Sequence, residues 1–376
     1  MSLKVLVADD SVLFRHVIAE VLGSLPNVEV VGSVANGKLA VQRVRELRPD
    51  LLTLDMEMPE MDGLGVLDAL RRGGEKVAVI VVSALTRHGG QLTMRALEKG
   101  AFDFITKPDA GNPEESREAI RRELAPRLRA LGHRLEIRTI LRSGPSAPAA
   151  VPSAGKSPGV REVPPAALDE ISGRMNRLAP VARPEMVLIG VSTGGPNALA
   201  MVLPAIPGNL GVPLLIVQHM PPVFTQSLAE SLSPKCAVRV REASHGEMIE
   251  PNTAYIAPGG KQMRLAPGTD GHKMVQITDD PPENNCKPAV DYLFRSVANH
   301  FPGRAMAVIM TGMGSDGALG LRLLKRNGCY VIAQDEASCV VFGMPKAAVD
   351  AGVTDAILPL EAIAARITTT VRGLKT

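Results

Sequence analysis

The stretch Lys4-Val5-Leu6-Val7-Ala8-Asp9-Asp10 decides the fold expected for the first part of the chain. A short apolar run that ends in acidic residues is typical of a strand buried on both faces of a parallel sheet. Similar runs follow at regular spacing, at Val28–Val34, Asp50–Leu54, Val77–Val82 and Asp103–Thr106. Segments with helical periodicity separate these runs. The sequence therefore predicts a (βα)5 domain, flavodoxin-like, in which a parallel sheet has helices on both faces.

The helix after the fifth run has a clear start. Asn112 can cap it, and Pro113 suits its first turn because proline lacks the amide hydrogen that would be unpaired there. The apolar stripe of this helix reaches Leu135. Pro126 lies inside the stripe, so we expect it to kink or break the helix.

A segment of low complexity follows this helix. Between Ser143 and Ala167, 19 of 25 residues are Pro, Gly, Ser or Ala, and six of these are prolines. Such a composition cannot form a helix or a central strand, so it predicts a linker. We therefore divide the chain into a first domain at residues 1–125, a linker region at 126–183 and a second domain at 184–374.

Strand-like and helical segments alternate again after the linker, from Met186 to Val371. This alternation predicts a second α/β domain with a doubly wound parallel sheet. The stretch from Arg239 to Thr278 is irregular, and we expect it to form a small antiparallel insert.

Composition and charge exclude several classes of function. The chain has 376 residues, of which 45% are apolar, as in ordinary globular proteins. Its 42 basic and 39 acidic side chains are spread evenly, since residues 1–142 and residues 181–376 each carry a net charge of +1. Neither part is basic enough for a DNA-binding domain, and aromatic residues are too few for stacking on single strands. We expect no nucleic-acid partner.

The sequence also bears on the cellular compartment. No apolar run approaches the ~18 residues that a membrane span needs, so we expect a protein that is not membrane-embedded. The four cysteines form no C-x-x-C pair, which favours reduced thiols in the cytoplasm.

Polar side chains follow four strands of the first domain at the point where each strand ends. Asp9 and Asp10 follow the first strand, Asp55 the third, Ser83 the fourth and Lys107 the fifth. Because the carboxyl ends of parallel strands form one edge, these side chains are expected to converge. Three carboxylates suit Mg²⁺, a carboxylate can accept a phosphoryl group, and a hydroxyl and a lysine can bind its oxygens.

On these residues, 1–125 resemble the receiver domain of two-component response regulators. The resemblance implies that the three carboxylates form the Mg²⁺ site. It also implies that Asp55 accepts a phosphoryl group from a histidine kinase, which Ser83 and Lys107 then contact. Phe104 occupies the place of the aromatic switch residue that reorients on activation in that family.

The second domain opens with Gly190-Val191-Ser192-Thr193-Gly194-Gly195-Pro196, between an apolar run and a helix. This stretch fits the G-x-S-x-G turn, which exposes a serine hydroxyl at a strand end. A phosphate cradle at the helix start fits less well, since G-x-G-x-x-G is absent and no lysine follows. A third alternative is a structural turn with no catalytic or binding role.

A serine nucleophile needs a base and a group that orients the base. His219 follows the apolar strand Val212–Val217, and Asp316 lies in the glycine-rich turn after Ala305–Met310. If the strands are parallel, all three side chains meet at one edge. Asp316 could instead cap the helix that begins at Gly317, or do both. Backbone amides near Thr193 and Met313 are the candidate oxyanion donors.

Residues 184–374 resemble the catalytic domain of the protein-glutamate methylesterases of bacterial chemotaxis. The matching stretches are Gly190–Pro196, Gln218–Met220, Ala257–Gly260, Pro288–Asp291, Thr311–Gly317 and Phe342–Pro345. The resemblance implies that Ser192 is the nucleophile, His219 the base and Asp316 the group that orients it, without a cofactor for the esterase chemistry. It implies hydrolysis of glutamate γ-methyl esters on chemoreceptors and deamidation of receptor glutamines, regulated by phosphorylation, at receptor arrays on the inner membrane surface.

Two other classes of output domain remain open at this point. One is a response regulator whose second domain binds a nucleotide or a protein without catalysis, through the glycine-rich turn at Gly190. The other is a transcription regulator, against which the balanced charge of residues 181–376 argues.

Overall fold

The structure, a computed structural model, describes residues 2–108, 112–142, 183–268 and 271–373. The predicted Pro-rich linker lies outside the described residues, and the proposed domain boundaries stay predictions. The first domain consists, in chain order, of β1 (Leu3–Ala8), α1 (Val12–Gly23), β2 (Val28–Val34), α2 (Gly37–Leu47), β3 (Leu51–Asp55), α3 (Gly63–Gly73), β4 (Ala78–Ser83), α4 (Arg87–Glu98), β5 (Asp103–Thr106) and α5 (Pro113–Arg142).

The five strands of this domain form one parallel sheet in the order β2-β1-β3-β4-β5, as the sequence predicts. Alternate residues of a strand point to opposite faces of its sheet. Val5 and Val7 of β1 therefore pack against α1 and α5, whereas Leu6 and Ala8 pack against α2, α3 and α4. Both faces are apolar, which is why β1 reads as a continuous apolar run.

Helix α5 runs without a break through Pro126, so the proline does not end the helix. The stripe residues Ile120, Leu124, Leu128 and Leu131 are buried, as expected. The side chain of Leu135 lies outside the described residues.

The second domain also has the predicted class. Its elements are β6 (Met186–Val191), α6 (Gly195–Val202), β7 (Leu214–Gln218), α7 (Phe224–Leu232), β8 (Arg239–Glu242), β9 (Thr253–Ile256), β10 (Gln262–Pro267), β11 (Lys273–Thr278), α8 (Val290–His300), β12 (Ala305–Ile309), α9 (Ala318–Arg326), β13 (Tyr330–Gln334), α10 (Met344–Asp350), β14 (Ala356–Leu358) and α11 (Leu360–Arg372). Seven strands form a parallel sheet in the order β14-β13-β12-β6-β7-β9-β8, and β10 and β11 form a separate antiparallel pair.

The antiparallel insert is smaller than the irregular stretch from Arg239 to Thr278. Strands β8 and β9 lie within that stretch, yet they pair in parallel at the edge of the main sheet. Only β10 and β11 form the insert. Strand β6, which ends immediately before Ser192, lies at the centre of the sheet between β7 and β12, so the turns that follow these three strands meet at one edge.

The two domains touch through α4 and β5 of the first and α6 and α7 of the second. The rings of Phe104 and Phe224 stack with their centroids 4.8 Å apart and an interplanar angle of 13°. Arg87 forms an ion pair with Glu230 at 2.9 Å. Gly90 lets α4 approach α7 closely, because a Cβ there would lie 2.5 Å from the hydroxyl of Ser227.

Among the helices of the described ranges, none is long and apolar enough to cross a membrane.

Candidate functional site

The first candidate site lies at the carboxyl edge of the parallel sheet of the first domain. Lys107 Nζ lies 2.7 Å from Asp55 Oδ2 and 3.0 Å from Asp9 Oδ2. Asp9 and Asp55 are buried and Asp10 is exposed, and carboxylate oxygens of all three lie within 4.8 Å of one another. The structure thus brings together the three carboxylates and the lysine that the sequence predicts.

Burial dominates the electrostatics of this cluster. It raises the pKa of Asp55 to about 6, although the hydrogen bond from Lys107 acts in the opposite direction. Burial also raises the pKa of Asp9, against the attraction of Lys107. For Lys107, burial acts to lower the pKa, but the hydrogen bond to Asp55 and the negative charges of Asp55 and Asp9 outweigh it, so the pKa is raised. One lysine therefore does not neutralise the cluster.

These residues fit a divalent cation. Asp9 Oδ2 is buried and has no hydrogen-bond partner among the described residues, even though Lys107 Nζ is near. Hard cations bind carboxylate oxygens, and a positive ion at this position would relieve the repulsion among the three acids. Asp9, Asp10 and Asp55 are the residues that would hold it.

The remaining predicted residues of the first domain are also near the edge. Ser83 ends β4 and is buried, and its hydroxyl donates to the carbonyl of Gly89 at 3.1 Å. Phe104 is buried and stacks on Phe224 of the second domain. Sequence reasoning missed Phe14, whose ring centroid lies 5.0 Å from Lys107 Nζ. An aromatic residue soon after the acid pair was the available signal.

The second candidate site is built on the turn between β6 and α6. Gly194 has φ +76°, a backbone conformation that favours glycine, and a Cβ there would lie 2.5 Å from Val340 Cβ. The side-chain amide of Gln218, at the end of β7, donates to the carbonyl of Ser192 at 3.0 Å. These contacts fix the path of the backbone around Ser192.

His219 and Asp316 form a direct pair beside this turn. His219 Nε2 and Asp316 Oδ2 are 2.8 Å apart. Oδ2 of Asp316 also accepts from the amide of Val290 at 2.7 Å, and Oδ1 accepts from the amide of Asp291 at 3.0 Å and from Asn284 Nδ2 at 2.9 Å. Because Val290 and Asp291 begin α8, Asp316 pairs the free amides of that helix.

This arrangement corrects one alternative from the sequence. Asp316 is not the cap of α9, since Gly317 occupies the cap position and no side chain makes a capping hydrogen bond there. The carboxylate turns instead toward α8, a helix that is distant in sequence. It therefore hydrogen-bonds the imidazole while it satisfies a helix N-terminus.

The contacts of the pair shift the pKa values of its two members in opposite directions. Burial acts to raise the pKa of Asp316, but the hydrogen bonds from His219 and from the two amides outweigh it, and the pKa is lowered. Burial acts to lower the pKa of His219, but the hydrogen bonds with Asp316 and Cys286 raise it to about 9. The carboxylate is therefore ionised at neutral pH, and the ring binds a proton readily.

Ser192 lies on the adjacent strand end. The amide of His219 donates to the carbonyl of Val191 at 3.2 Å, and the amide of Ser192 donates to the carbonyl of Thr311 at 3.0 Å. The three strand ends thus meet as predicted. Within the described residues, the hydroxyl of Ser192 makes no hydrogen bond to the ring of His219, whose nitrogens contact Asp316 and Cys286.

Thr193 and Met313 flank Ser192. The carbonyl of Thr193 accepts from the hydroxyl of Thr311 at 3.0 Å, which ties the β6 turn to the β12 turn. A Cβ at Gly312 would lie 2.8 Å from Ser192 Cβ, so the backbone before Met313 passes directly beside the serine. The roles of both residues in binding an oxyanion stay predictions.

Cys286 is the residue that sequence reasoning missed at this site. Its sulfur lies 3.6 Å from His219 Nδ1 and 3.4 Å from the carbonyl of Asn284. Asn284 and Asn285 before it both have positive φ, at 51° and 60°, so a sharp turn brings the thiol to the ring. Two asparagines before a cysteine are a turn signal, but they do not reveal what the turn approaches.

The fold and the two sites define a class of protein, namely a receiver-type domain with a buried acid cluster joined to an α/β domain with a histidine–carboxylate pair. Comparison with known proteins agrees with this class. The family described as CheB methylesterase matches residues 187–367, and the response regulator receiver domain matches residues 5–121.

Relatives match over nearly the whole chain. A protein-glutamate methylesterase/protein-glutamine glutaminase of Desulfotalea psychrophila is 47% identical over 372 residues, which is 99% of each chain. One of Nocardioides sp. is 40% identical over 359 residues, 95% of this chain and 92% of the relative. The crystal structure of the Thermotoga maritima CheB methylesterase catalytic domain is 40% identical, with a TM-score of 0.48, and the match covers 50% of this chain and 98% of that chain.

The chain belongs to the family of protein-glutamate methylesterases/protein-glutamine glutaminases that carry an N-terminal receiver domain. The family and the fold class predicted from the sequence are confirmed. The roles of the individual site residues stay predictions.

Gly194 offers a test of the turn that carries Ser192. We expect Gly194→Ala to destabilise the second domain by about 1–3 kcal/mol more than Gly211→Ala, because only at Gly194 does the new methyl group meet a neighbour. Both positions have positive φ, so the conformational cost of about 1–2 kcal/mol is shared. Thermal or urea unfolding of the two full-length variants provides the measurement. Equal losses would show that the turn has room for a side chain.

Asp55 offers a test of the acid cluster. Its folded pKa is raised above the unfolded value, so ionised Asp55 destabilises the fold at neutral pH, and this cost disappears as pH falls from 6 toward 4. In buffer with a chelator at pH 7.5, we expect Asp55→Asn to raise the free energy of unfolding by about 1–3 kcal/mol. Glu29→Gln, at an exposed position, serves as the control. A less stable Asp55→Asn would contradict this account.

Proposed function

We propose that this chain hydrolyses glutamate γ-methyl esters on chemoreceptors, releasing methanol, and deamidates receptor glutamines, under control of receiver phosphorylation. The observation that carries the proposal is the His219–Asp316 pair at 2.8 Å, next to the serine of a G-x-S-x-G turn. The relatives named protein-glutamate methylesterase/protein-glutamine glutaminase, which match almost the whole chain, support the substrate. The protein would act in the cytoplasm, at receptor arrays on the inner membrane surface.

The chemistry requires a serine activated by a base. Ser192 attacks the ester carbonyl while His219 accepts its proton, and the ring then protonates the departing methoxide. Water, activated by the same ring, attacks the acyl-serine and releases the glutamate carboxylate. For a receptor glutamine, the leaving group is ammonia and the remaining steps are the same. These steps use only groups of this chain.

We assign the two ring nitrogens of His219 to different tasks on the basis of their contacts. Nε2 is bonded to Asp316 Oδ2, which holds the ring and stabilises its protonated form. Nδ1, which Cys286 contacts at 3.6 Å, is the remaining ring nitrogen, and it accepts the serine proton when the ring is neutral. The hydroxyl of Ser192 has to turn toward it when substrate binds, which is common, since catalytic hydrogen bonds often close only in the complex.

The oxyanion of the tetrahedral intermediate needs hydrogen-bond donors that are fixed beforehand. The amide of Thr193 lies in the turn after β6, and the amide of Met313 lies in the turn after β12. These two turns touch at Ser192. Donors held by the backbone stabilise developing negative charge at low reorganisation cost. We assign the oxyanion site to these two amides.

In the receiver, Asp55 accepts a phosphoryl group from a histidine kinase. Mg²⁺ is the ion we assign to Asp9, Asp10 and Asp55, where it supplies positive charge to carboxylate and phosphoryl oxygens. Lys107, now bonded to Asp55, would bind a phosphoryl oxygen as a point charge. The hydroxyl of Ser83 now donates to the carbonyl of Gly89, and it would leave this carbonyl to donate to another phosphoryl oxygen.

Regulation follows from the contact between the domains. Phe104, at the switch position, stacks on Phe224, and α7 begins five residues after His219. A phosphoryl group that draws Ser83 away from Gly89 changes the start of α4, which is the helix packed on α7. Phosphorylation would thereby weaken docking and give the receptor access to the esterase edge.

The nucleophile is tested by Ser192→Ala. We expect methanol release from methylated chemoreceptor membranes to fall at least about 10³-fold, because the acyl intermediate has lost its oxygen. Ser244→Ala, at an exposed position after the edge strand β8, controls for the loss of a hydroxyl. If Ser192→Ala released methanol at the rate of the Ser244→Ala control, the serine mechanism would be wrong.

The docking contact is tested by Gly90→Leu. Overpacking of α4 against α7 costs about 1–3 kcal/mol, so the undocked fraction is expected to rise about fivefold or more, together with methanol release without a phosphodonor. Gly23→Leu, on an exposed helix surface with nothing within 4 Å, is the matched control. Asp55→Asn should respond to neither phosphodonor nor kinase. Unchanged basal release in Gly90→Leu would refute the role of this contact.

A further inference from the structure

The ring of His219 has two partners, and the proposed esterase mechanism uses only one of them. Nε2 is bonded to Asp316, whereas Nδ1 faces the sulfur of Cys286 at 3.6 Å. Cys286, His219 and Asp316 therefore form a continuous thiol–imidazole–carboxylate row. This is the arrangement in which a base accepts the proton of a nucleophile and a carboxylate holds the base.

The other cysteines lack such surroundings. Cys329 and Cys339 are buried, and burial raises the pKa of both thiols, that of Cys339 to about 12. Cys236 is half-buried, and burial raises the pKa of its thiol to about 11. Thiols with raised pKa react slowly at neutral pH, because the thiolate is the nucleophile. Cys286 is half-buried, and among the four it is the one in hydrogen-bonding contact with a histidine.

We propose that Cys286 is a modification site that takes small disulfide oxidants and forms a reversible mixed disulfide beside the base. In molecules whose His219 ring is neutral, the proton of Cys286 passes to Nδ1, and the sulfur attacks one sulfur of the disulfide. The new S–S bond forms as the old one breaks, and the other half departs as a thiolate. Cys286 is thereby oxidised and the released half of the reagent is reduced, so electrons balance.

The modification has a consequence for catalysis, which rests on the proposed function. The adduct occupies the space in front of Nδ1, the nitrogen that would accept the serine proton. Ser192 then has no base within reach, and ester hydrolysis stops. A thiol reductant reverses the reaction by the same exchange. The esterase would thus be sensitive to the thiol–disulfide balance of its compartment, independently of phosphorylation at Asp55.

The test uses the full-length protein and 5,5′-dithiobis(2-nitrobenzoate) as the disulfide. We expect wild type to release about one equivalent of thionitrobenzoate in a fast phase, at least about tenfold faster than any later phase, with the adduct on Cys286 by peptide mass spectrometry. Cys286→Ser should lose the fast phase. Cys236→Ser, which removes the other half-buried thiol, should keep it. A fast phase retained in Cys286→Ser would overturn the proposal.

A second variant separates simple exposure from activation by the ring. His219→Asn should slow the fast phase, since the thiol proton loses its acceptor. An unchanged rate would show that Cys286 is merely accessible, and would refute the row as a functional unit.

Methanol release provides the third readout, expressed as a fraction of each variant's own untreated activity. In wild type and Cys236→Ser it should fall in step with the fast phase and return after dithiothreitol, whereas Cys286→Ser should resist the reagent. Full activity with Cys286 modified would refute the blocking role. A wild type with a fast phase but no methanol release would sink the proposed esterase and leave the modification site standing.

Discussion

The carboxylate of Asp316 is the group on which the second domain's candidate site depends. It is buried, yet it accepts hydrogen bonds from the ring of His219, two amides of α8 and the side chain of Asn284. The donors belong to three different parts of the domain, so one ionised group fixes the relative positions of a strand end, a helix start and a loop. A buried charge is tolerable only with such a complement of donors. The site and the local fold are therefore stabilised by the same contacts.

Much of both sites could be predicted, because parallel sheets concentrate chemistry at one edge. Asp55 and Lys107 end different strands and meet in the structure, and the same logic predicted that His219 and Asp316 would meet. These predictions needed only the strand ends and the parallel arrangement, which the apolar runs indicate. The individual hydrogen bonds, such as those of Asp316 to α8 rather than α9, depend on the conformations of loops. The periodic pattern of apolar residues carries no information about these conformations.

The elements and contacts that the sequence did not predict also depend on surroundings that local sequence patterns do not record. Strand β10 contains the exposed Arg264 and ends in Pro267, so its sequence lacks the apolar run that marks a buried strand. Cys286 reaches His219 because two preceding asparagines take left-handed conformations, and the direction of such a turn is set by its surroundings. The sequence also did not predict helix α10, because its seven residues are too few for a periodic pattern.

The stacked rings of Phe104 and Phe224 have a consequence for the behaviour of the switch with temperature. They belong to one apolar cluster that includes residues of both domains, so separating the domains transfers apolar surface to water. The attraction between such surfaces weakens on cooling and carries a large heat-capacity change. The docked state is thus favoured less in the cold than at moderate temperature. In the proposed switch, the balance between docked and undocked domains would therefore depend on temperature as well as on phosphorylation of the receiver.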